Sequence, residues 1–250
     1  MNVAHLYKRF GDKVVLEDVS LTVPDGAVVC LMAPSGRGKT TLLRCIAGLE
    51  MPDSGTVTGV PERLGFVFQE DRLCPQLDAV ENVRLVTGRA MSRPDIEAHL
   101  RELGLADCLD QRAAELSGGQ RRRVSVARAV CYVPELLLLD EPFSALDYQQ
   151  RLLLADEVHS IIKRGGYTAV LVTHDISEAI CMSDRVIILS ERPARIRKQV
   201  ELNMGSDTPL ERRSNPLFRE YYDAVWSEFR LAGERQQLMP TENANTQKGV

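Results

Sequence analysis

The chain has 250 residues, of which 44% are hydrophobic and 26% are charged, and its formal net charge is -4 at pH 7. This is the composition of an ordinary soluble globular protein, with room for one large domain or two small ones. The negative net charge argues against counterion-driven binding to DNA or RNA, so we expect no nucleic-acid partner.

The N-terminal segment, residues 1–10, lacks the apolar core of a signal peptide, which is roughly 7–15 residues long. No apolar run reaches the roughly 20 residues that a membrane helix needs. The six cysteines show neither C-x-x-C nor histidine-paired spacing. We therefore expect a soluble, cytosolic protein whose cysteines are reduced and structural rather than metal ligands.

Four short, continuous apolar runs predict strands that are buried on both faces of a parallel sheet. They lie at residues 28–32, 136–139, 169–172 and 185–189. Apolar residues at helical spacing lie between them, around Leu42 to Ile46 and Leu154 to Ile162. The alternation predicts an α/β fold with right-handed crossovers, in which ligands bind beyond the carboxyl ends of the strands.

A glycine-rich loop follows the first predicted strand, with the sequence APSGRGKT from Ala33 to Thr40. In a phosphate-binding loop the backbone N–H groups point inward, Lys39 reaches the β- and γ-phosphates, and Thr40 offers its hydroxyl to Mg²⁺. Ala33 departs from the G-x-x-x-x-G-K-[ST] pattern, and its methyl group is tolerable only if its φ is negative, as we expect. The alternative is a glycine- and serine-rich turn with a chance lysine.

Residues from about 71 to 128 are charged and helical in pattern, without a buried strand run, and predict an inserted helical subdomain. Within this segment Ser117 is a good N-cap, and Gly118 and Gly119 expose the N–H groups of the helix that follows, which makes a second anion site. One nucleotide does not need two such helix ends on one chain, but two copies arranged head to tail would use both. The run Arg121–Arg123 is interpreted as a solvated helix face.

The strand at residues 136–139 leads into Asp140 and Glu141. A carboxylate at the end of a buried strand can hold Mg²⁺ through its water shell, and Glu141 can orient and polarise an attacking water. The alternative is a strand that ends in a charged turn. Near the C-terminus, residues 218–229 predict an amphipathic helix that packs on the core, and the polar tail at 241–250 is expected to fray.

With these motifs in this order, the chain resembles the ATP-binding subunit of an ABC transporter up to about residue 200. The resemblance implies an α/β P-loop NTPase (RecA-like) core with a mainly parallel sheet, an N-terminal antiparallel β part and an inserted helical subdomain at about 71–128. It implies a cassette at residues 1–200 and a C-terminal helical extension with a disordered tail at 201–250.

The resemblance also implies roles for individual residues. Gln69 matches the Q-loop glutamine that senses Mg²⁺ and the membrane partner, His174 matches the switch histidine, and Phe10 matches the aromatic residue that stacks on adenine. Residues 144–147, with Ala145 and Asp147, match the D-loop. The implied catalytic residues are Lys39, Gln69, Glu141 and His174, and the implied Mg²⁺ ligands are Thr40, Gln69 and Asp140. The implied ATP-binding residues are Phe10, Pro34, Ser35, Gly36, Arg37, Gly38, Lys39, Thr40, Thr41, Ser117, Gly118, Gly119, Gln120 and Asp147.

A cassette of this kind implies a second ATP-binding subunit, expected to be an identical copy, and a separate transmembrane permease. We expect the permease to dock near residues 69–85, including Pro75 and Leu77. Residues 68–73 and 189–196 resemble the cassettes of nitrate, sulfonate and taurine importers, which implies a periplasmic solute-binding protein and a peripheral location on the cytoplasmic face of the inner membrane.

Three other functions are alternatives to a transporter of this kind. A soluble ABC ATPase of DNA repair or translation would carry a long coiled coil or two cassettes, and this chain shows neither. A non-hydrolysing cassette would lack Glu141 or His174, and both are present. An exporter cassette stays open on the sequence alone.

Overall fold

The structure is a computed structural model, and it describes residues 1–144, 146–205 and 208–232. Ala145 of the predicted D-loop and the tail at 241–250 that was expected to fray lie outside the described residues. In the described part of the chain, no helix combines the length and the hydropathy that crossing a bilayer requires.

Nine strands and eight α-helices make up the described chain. The strands are β1 (Asn2–Phe10), β2 (Lys13–Thr22), β3 (Val28–Met32), β4 (Ser54–Thr58), β5 (Leu64–Val67), β6 (Leu136–Asp140), β7 (Thr168–Thr173), β8 (Arg185–Leu189) and β9 (Ile196–Glu201). The helices are α1 (Lys39–Ile46), α2 (Ala79–Thr87), α3 (Arg93–Glu102), α4 (Gly118–Val130), α5 (Tyr148–Gly165), α6 (Ile176–Met182), α7 (Pro209–Arg212) and α8 (Phe218–Leu231).

The strands form two sheets. The larger has the order β5-β6-β7-β3-β8-β9 and is parallel except for β9, which pairs antiparallel with β8. The smaller is antiparallel, with the order β2-β1-β4. The predicted α/β fold, with its mainly parallel sheet and N-terminal antiparallel part, is confirmed.

The central strands are buried because layers of structure cover both of their faces. Every residue of β3, β6 and β7 is buried. One face packs against α1 and the antiparallel sheet, and the other packs against the helices α2, α4, α5 and α6. This double burial explains why the strands read as continuous apolar runs rather than alternating ones.

The helical segment contains α2, α3, a 3₁₀ turn at Ala106–Cys108 and α4, which continues to Val130. Capping boxes begin two of these helices, Asp78 with Glu81 at α2 and Ser117 with Gln120 at α4. The exact limits of a helical subdomain, and of a cassette that ends at residue 200, stay predictions.

The predicted C-terminal helix is α8. Val225 is fully buried, and Phe218, Tyr221, Tyr222 and Phe229 pack partly buried against the main core. The expectation that this helix packs on the core is therefore confirmed. All six cysteines are free, and burial raises the pKa of the Cys45 and Cys181 thiols to about 11.

Candidate active site

The glycine-rich loop joins the carboxyl end of β3 to the first residue of α1, Lys39. Gly38 has a φ of 87°, and a Cβ there would lie 3.0 Å from side-chain atoms of both Val15 and Leu16, so the position requires glycine. Ala33 is fully buried and does not have a positive φ, as we expected. Its methyl group fits the core between the sheet and α1, so the departure from the usual glycine leaves the loop intact.

The ammonium group of Lys39 lies inside this loop. Its Nζ donates to the carbonyl oxygens of Ala33 at 2.6 Å and Pro34 at 3.2 Å, and it lies 3.9 Å from Oε1 of Glu141. Burial lowers the pKa of Lys39, and the carboxylates of Glu141 and Asp140 offset part of that effect. Because these carbonyl partners are neutral, the Lys39 ammonium group can exchange them for the oxygens of a charged anion such as a phosphate.

A cavity of about 230 Å³ opens above the loop. The residues that line it are Ser35, Gly36, Arg37, Gly38, Lys39, Thr40, Thr41, Gln69, Glu141 and Arg192. The loop residues therefore share one cavity with the predicted Q-loop glutamine and with the glutamate at the end of β6. This convergence follows from the topology, because β5, β6 and β3 are parallel and present their carboxyl ends at one edge of the sheet.

Asp140 lies behind this cavity at the end of β6 and is 2% exposed. Burial raises the pKa of its carboxyl group, and a hydrogen bond from the Thr40 side chain offsets part of the rise. Within the described chain, its Oδ1 is a buried atom without a hydrogen-bond partner. An unpaired buried carboxylate oxygen is costly unless a cation contacts it. The carboxylate of Asp140 and the hydroxyl of Thr40 are oxygen ligands, which fit a hard cation such as Mg²⁺.

Glu141 adopts a strained backbone conformation, with a φ of 47°. Its Oε1 lies 3.5 Å from Nδ1 of His174, whose side chain is half exposed. A non-glycine residue in the left-handed region is uncommon, and of the five that the described chain contains only Glu141 lines the Lys39 cavity. Glu141 thus lies between the ammonium group of Lys39 and the imidazole of His174.

The second predicted anion site lies elsewhere. Ser117 accepts a hydrogen bond from the N–H of Gln120 at the start of α4, and Asp147 caps α5 by accepting from the N–H of Gln150. As far as the described chain extends, neither the segment from Ser117 to Gln120 nor Asp147 is among the residues that line the Lys39 cavity. Phe10 does not line it either. The ring of Phe10 is half exposed at the end of β1, with the ammonium group of Lys8 5.0 Å from its centroid.

The interpretation of Arg121–Arg123 as a solvated helix face was wrong. Arg122 is 1% exposed and donates to main-chain carbonyls of the Gln69 and Glu141 segments. Arg123 is largely buried and pairs with Glu157. Three consecutive helical residues point in directions about 100° apart, so they cannot share one face, and that signal was available in the sequence.

Arg192 was missed by the sequence analysis. It follows β8, lines the Lys39 cavity and donates to the carbonyl oxygen of Gly36 in the loop. Its segment is fixed by main-chain bonds between Ala194 and the strand β2. Nothing local in the sequence links residue 192 to residue 36, because only the sheet order brings β8 beside β3.

Comparison with known proteins agrees with this geometry. A protein-family model described as ABC transporter matches residues 16–144. The aliphatic sulfonates import ATP-binding protein SsuB 2 of Burkholderia cenocepacia is 40% identical over 218 residues, 84% of this chain and 80% of that protein. The aliphatic sulfonates import ATP-binding protein SsuB 1 of Nocardia farcinica is 44% identical over 220 residues, 88% of each chain.

Two solved structures share the fold of this chain. An ATP-binding cassette solved as a dimer in a post-hydrolysis state, bound to ADP and Pi, superposes with a TM-score of 0.71 at 29% identity over 81% of this chain and 98% of that one. A structure described as the ATP-binding subunit of an ABC transporter gives a TM-score of 0.73 at 24% identity, over 92% and 98% of the two chains, and supports the fold alone.

Proposed function

The chain belongs to the ABC transporter family and is an ATP-hydrolysing cassette, and on that premise we propose that it energises a membrane importer of aliphatic sulfonates or similar small anions. The observation that carries the proposal is the meeting of Lys39, Gln69 and Glu141 in one cavity, beside the buried and unpaired Oδ1 of Asp140. The sulfonate class rests on the identity to the two import proteins over most of the chain.

In this proposal the loop binds the phosphates of ATP. The N–H groups at the start of α1 and the positive end of the helix stabilise the anion, and Lys39 exchanges the carbonyls of Ala33 and Pro34 for phosphate oxygens. Thr40, Asp140 and Gln69 would hold Mg²⁺, which when bound neutralises charge on the β- and γ-phosphates. Phe10 would stack on adenine.

Glu141 and His174 would act at the γ-phosphate. Glu141 accepts a hydrogen bond from the attacking water and orients it in line, which phosphoryl transfer needs more than a strong base. His174, 3.5 Å from Glu141, donates toward the γ-phosphate and fixes the carboxylate. The strained main chain of Glu141 holds the carboxylate in this place before substrate arrives.

In this proposal a second copy of the chain completes the site. The N-terminus of α4, with Ser117, Gly118, Gly119 and Gln120, would cap the triphosphate bound to the partner, and Asp147 would lie at the same interface. ATP would then favour the closed dimer because it binds both surfaces only in that state. The dimeric form of the solved cassette bound to ADP and Pi supports this arrangement.

The permease would dock on an apolar groove of about 520 Å³ beside the edge strand β5. Leu85, Val86 and Tyr132, which line it, are 57%, 40% and 40% exposed. Pro75 is exposed and Leu77 is half-buried in the neighbouring segment. Such a patch suits the apolar face of a partner helix. The chain would therefore work at the cytoplasmic face of the inner membrane, with a periplasmic solute-binding protein delivering the anion.

The test is capture of the membrane partner with the tagged chain, followed by ATPase measurement of the complex in proteoliposomes. We expect an aliphatic sulfonate, supplied with its binding protein outside the vesicles, to stimulate hydrolysis several-fold, and a neutral sugar to leave it unchanged. Stimulation only by a solute on the cassette side would identify an exporter. Failure to capture a membrane partner, with turnover that no solute changes, would identify a soluble ATPase.

A further inference from the structure

Arg122 and Arg212 are the largest fully buried side chains of the described residues, each at 1% exposure, although both carry a charge, and Arg122 is the one beside the site. It lies in the first turns of α4, only five residues after Ser117. Buried arginines are rare unless every donor finds an acceptor, so the partners of this guanidinium group identify what it does.

Two segments of the site supply those partners. On one side, Nη1 donates to the carbonyl oxygens of Phe68 at 2.5 Å and Gln69 at 3.3 Å. On the other side, Nη2 donates to the carbonyl oxygens of Asp140 at 3.3 Å and Glu141 at 3.0 Å.

Arg122 thus bridges the Gln69 segment and the Glu141 segment, and its remaining contacts belong to the same bridge. Nε donates to the carbonyl oxygen of Pro142 at 2.5 Å, and Asp71 lies 3.5 Å from Nη1. Burial lowers the pKa of Arg122, and the Asp71 carboxylate offsets part of that effect. Five main-chain carbonyls from two loops therefore meet on one guanidinium group. Because the guanidinium is planar and rigid, it fixes the distance and angle between the two loops, which a flexible lysine cannot do.

The Arg122 bridge contacts the main chain on both sides of Glu141, whose backbone conformation is strained. Glu141 has a φ of 47°, a conformation that a non-glycine side chain adopts only when its surroundings enforce it. The N–H of Glu141 donates to Val172 at 2.9 Å, which holds one side of the residue. Arg122 holds the peptide groups before and after it.

We propose that Arg122 is a positioning residue that joins the Gln69 segment to the Glu141 segment, so that movement of the first reorients the carboxylate of the second. The proposal rests on the function proposed above, in which Glu141 orients water and a permease docks on the groove beside β5, which Phe68 lines next to Gln69. Docking would then alter hydrolysis through this bridge rather than through nucleotide affinity, because Arg122 does not line the Lys39 cavity.

The test compares Arg122→Lys with Arg123→Lys. Arg123 is the matched control because it is an adjacent, largely buried arginine of the same helix that binds Glu157 and the carbonyl of Leu103 instead of the two loops. For each variant we would measure the melting temperature, the dissociation constant for ATP, kcat, and the ratio of kcat with and without the captured membrane partner.

We expect Arg122→Lys to lower kcat at least about 10-fold with the ATP dissociation constant within about 3-fold, since small misplacement of a positioned group costs rate rather than binding. The stimulation ratio should fall toward one. Arg123→Lys should keep kcat and the ratio within about 2-fold of wild type.

Other results would overturn the proposal. They are a kcat within 2-fold of wild type in Arg122→Lys, a preserved stimulation ratio, or a loss of ATP affinity as large as the loss of rate. If the lysine variant does not fold, the neutral Arg122→Gln is judged by the same criteria, and failure of both to fold would assign Arg122 to stability alone and contradict a positioning role. Absence of hydrolysis in wild type would instead refute the proposed function.

Discussion

The loop around Lys39 and the helix end at Ser117 are both shaped for an anion, but they differ in how far their polar groups are paired within the described chain. Around Lys39, the ammonium group is buried against main-chain carbonyls, and the Oδ1 of Asp140 has no hydrogen-bond partner among the described residues. At Ser117, the capping box pairs the N–H groups of Ser117 and Gln120, and Ser117 and Gly118 are exposed to solvent.

The difference teaches which region is committed to a ligand. An unpaired buried carboxylate lowers stability, and a ligand that pairs with it restores the lost interactions. The N-terminus of α4 is capped and exposed to solvent, so the absence of a partner there does not lower the stability of the chain. The first region is therefore a preformed half-site, and the second is an interface element.

The largest expected effect separates chemistry from binding within the first region. Glu141→Gln keeps the size of the side chain but removes the charge that orients water, so we expect hydrolysis to fall at least about 100-fold with ATP affinity within a few-fold. Steady-state ATPase assays and equilibrium ATP binding measure the two effects. Glu135→Gln is the control, because Glu135 forms an exposed pair with Arg63 away from the cavity. Near-normal turnover in Glu141→Gln would remove Glu141 from this role.

The second effect is on stability and sharpens the claim that the first region is strained without ligand. Asp140→Asn removes a buried, poorly paired carboxylate, so we expect it to stabilise the nucleotide-free protein by about 1–3 kcal/mol while abolishing Mg²⁺-dependent hydrolysis. Thermal unfolding near neutral pH measures the gain.

The same substitution makes a pH prediction. The pKa of Asp140 is raised in the folded state, so between the ordinary value of 3.8 and the raised value the folded state holds a proton that the unfolded state has lost. Wild-type stability from this group therefore falls as pH rises through that window and stays lower above it. The gain from Asp140→Asn should shrink on acidification, and a gain independent of pH would contradict the assignment.

A smaller effect, on ATP affinity, is expected at Arg192, which the sequence alone did not identify as a site residue. Arg192→Ala frees the carbonyl of Gly36 and removes a cation from the cavity, so we expect ATP to bind about 5-fold more weakly. Arg195→Ala is the matched control, because Arg195 lies in the same loop but pairs with Glu17 at the surface. Equal affinities in the two variants would show that Arg192 acts outside the site.

The smallest effect is expected at Ala33. Because its φ is not positive, Ala33→Gly relieves no strain and should leave ATP affinity within a few-fold. Equilibrium binding checks this, and a large gain in affinity would show that the methyl group distorts the loop.

The sequence predicted the parts of the fold whose physics is local. Continuous apolar runs located β3, β6, β7 and β8, because strands buried on both faces cannot alternate. The edge strand β9 escaped, since IRKQVE is mostly exposed and carries no such run. Arg122 and Arg192 escaped for another reason: their partners lie 18 to 54 and 156 residues away in the chain, so only the sheet order brings them together.

The central claim is that the Ser117 region of one copy completes the Lys39 region of another. The most direct test is the molar mass of Glu141→Gln in the presence of ATP, by light scattering, with and without Ser117→Asp. Aspartate keeps the helix cap but places a negative charge where the partner's triphosphate should lie. We predict twice the 27.9 kDa chain mass for Glu141→Gln and a monomer for the double variant, with ATP still bound. A dimer that persists in the double variant would contradict the account.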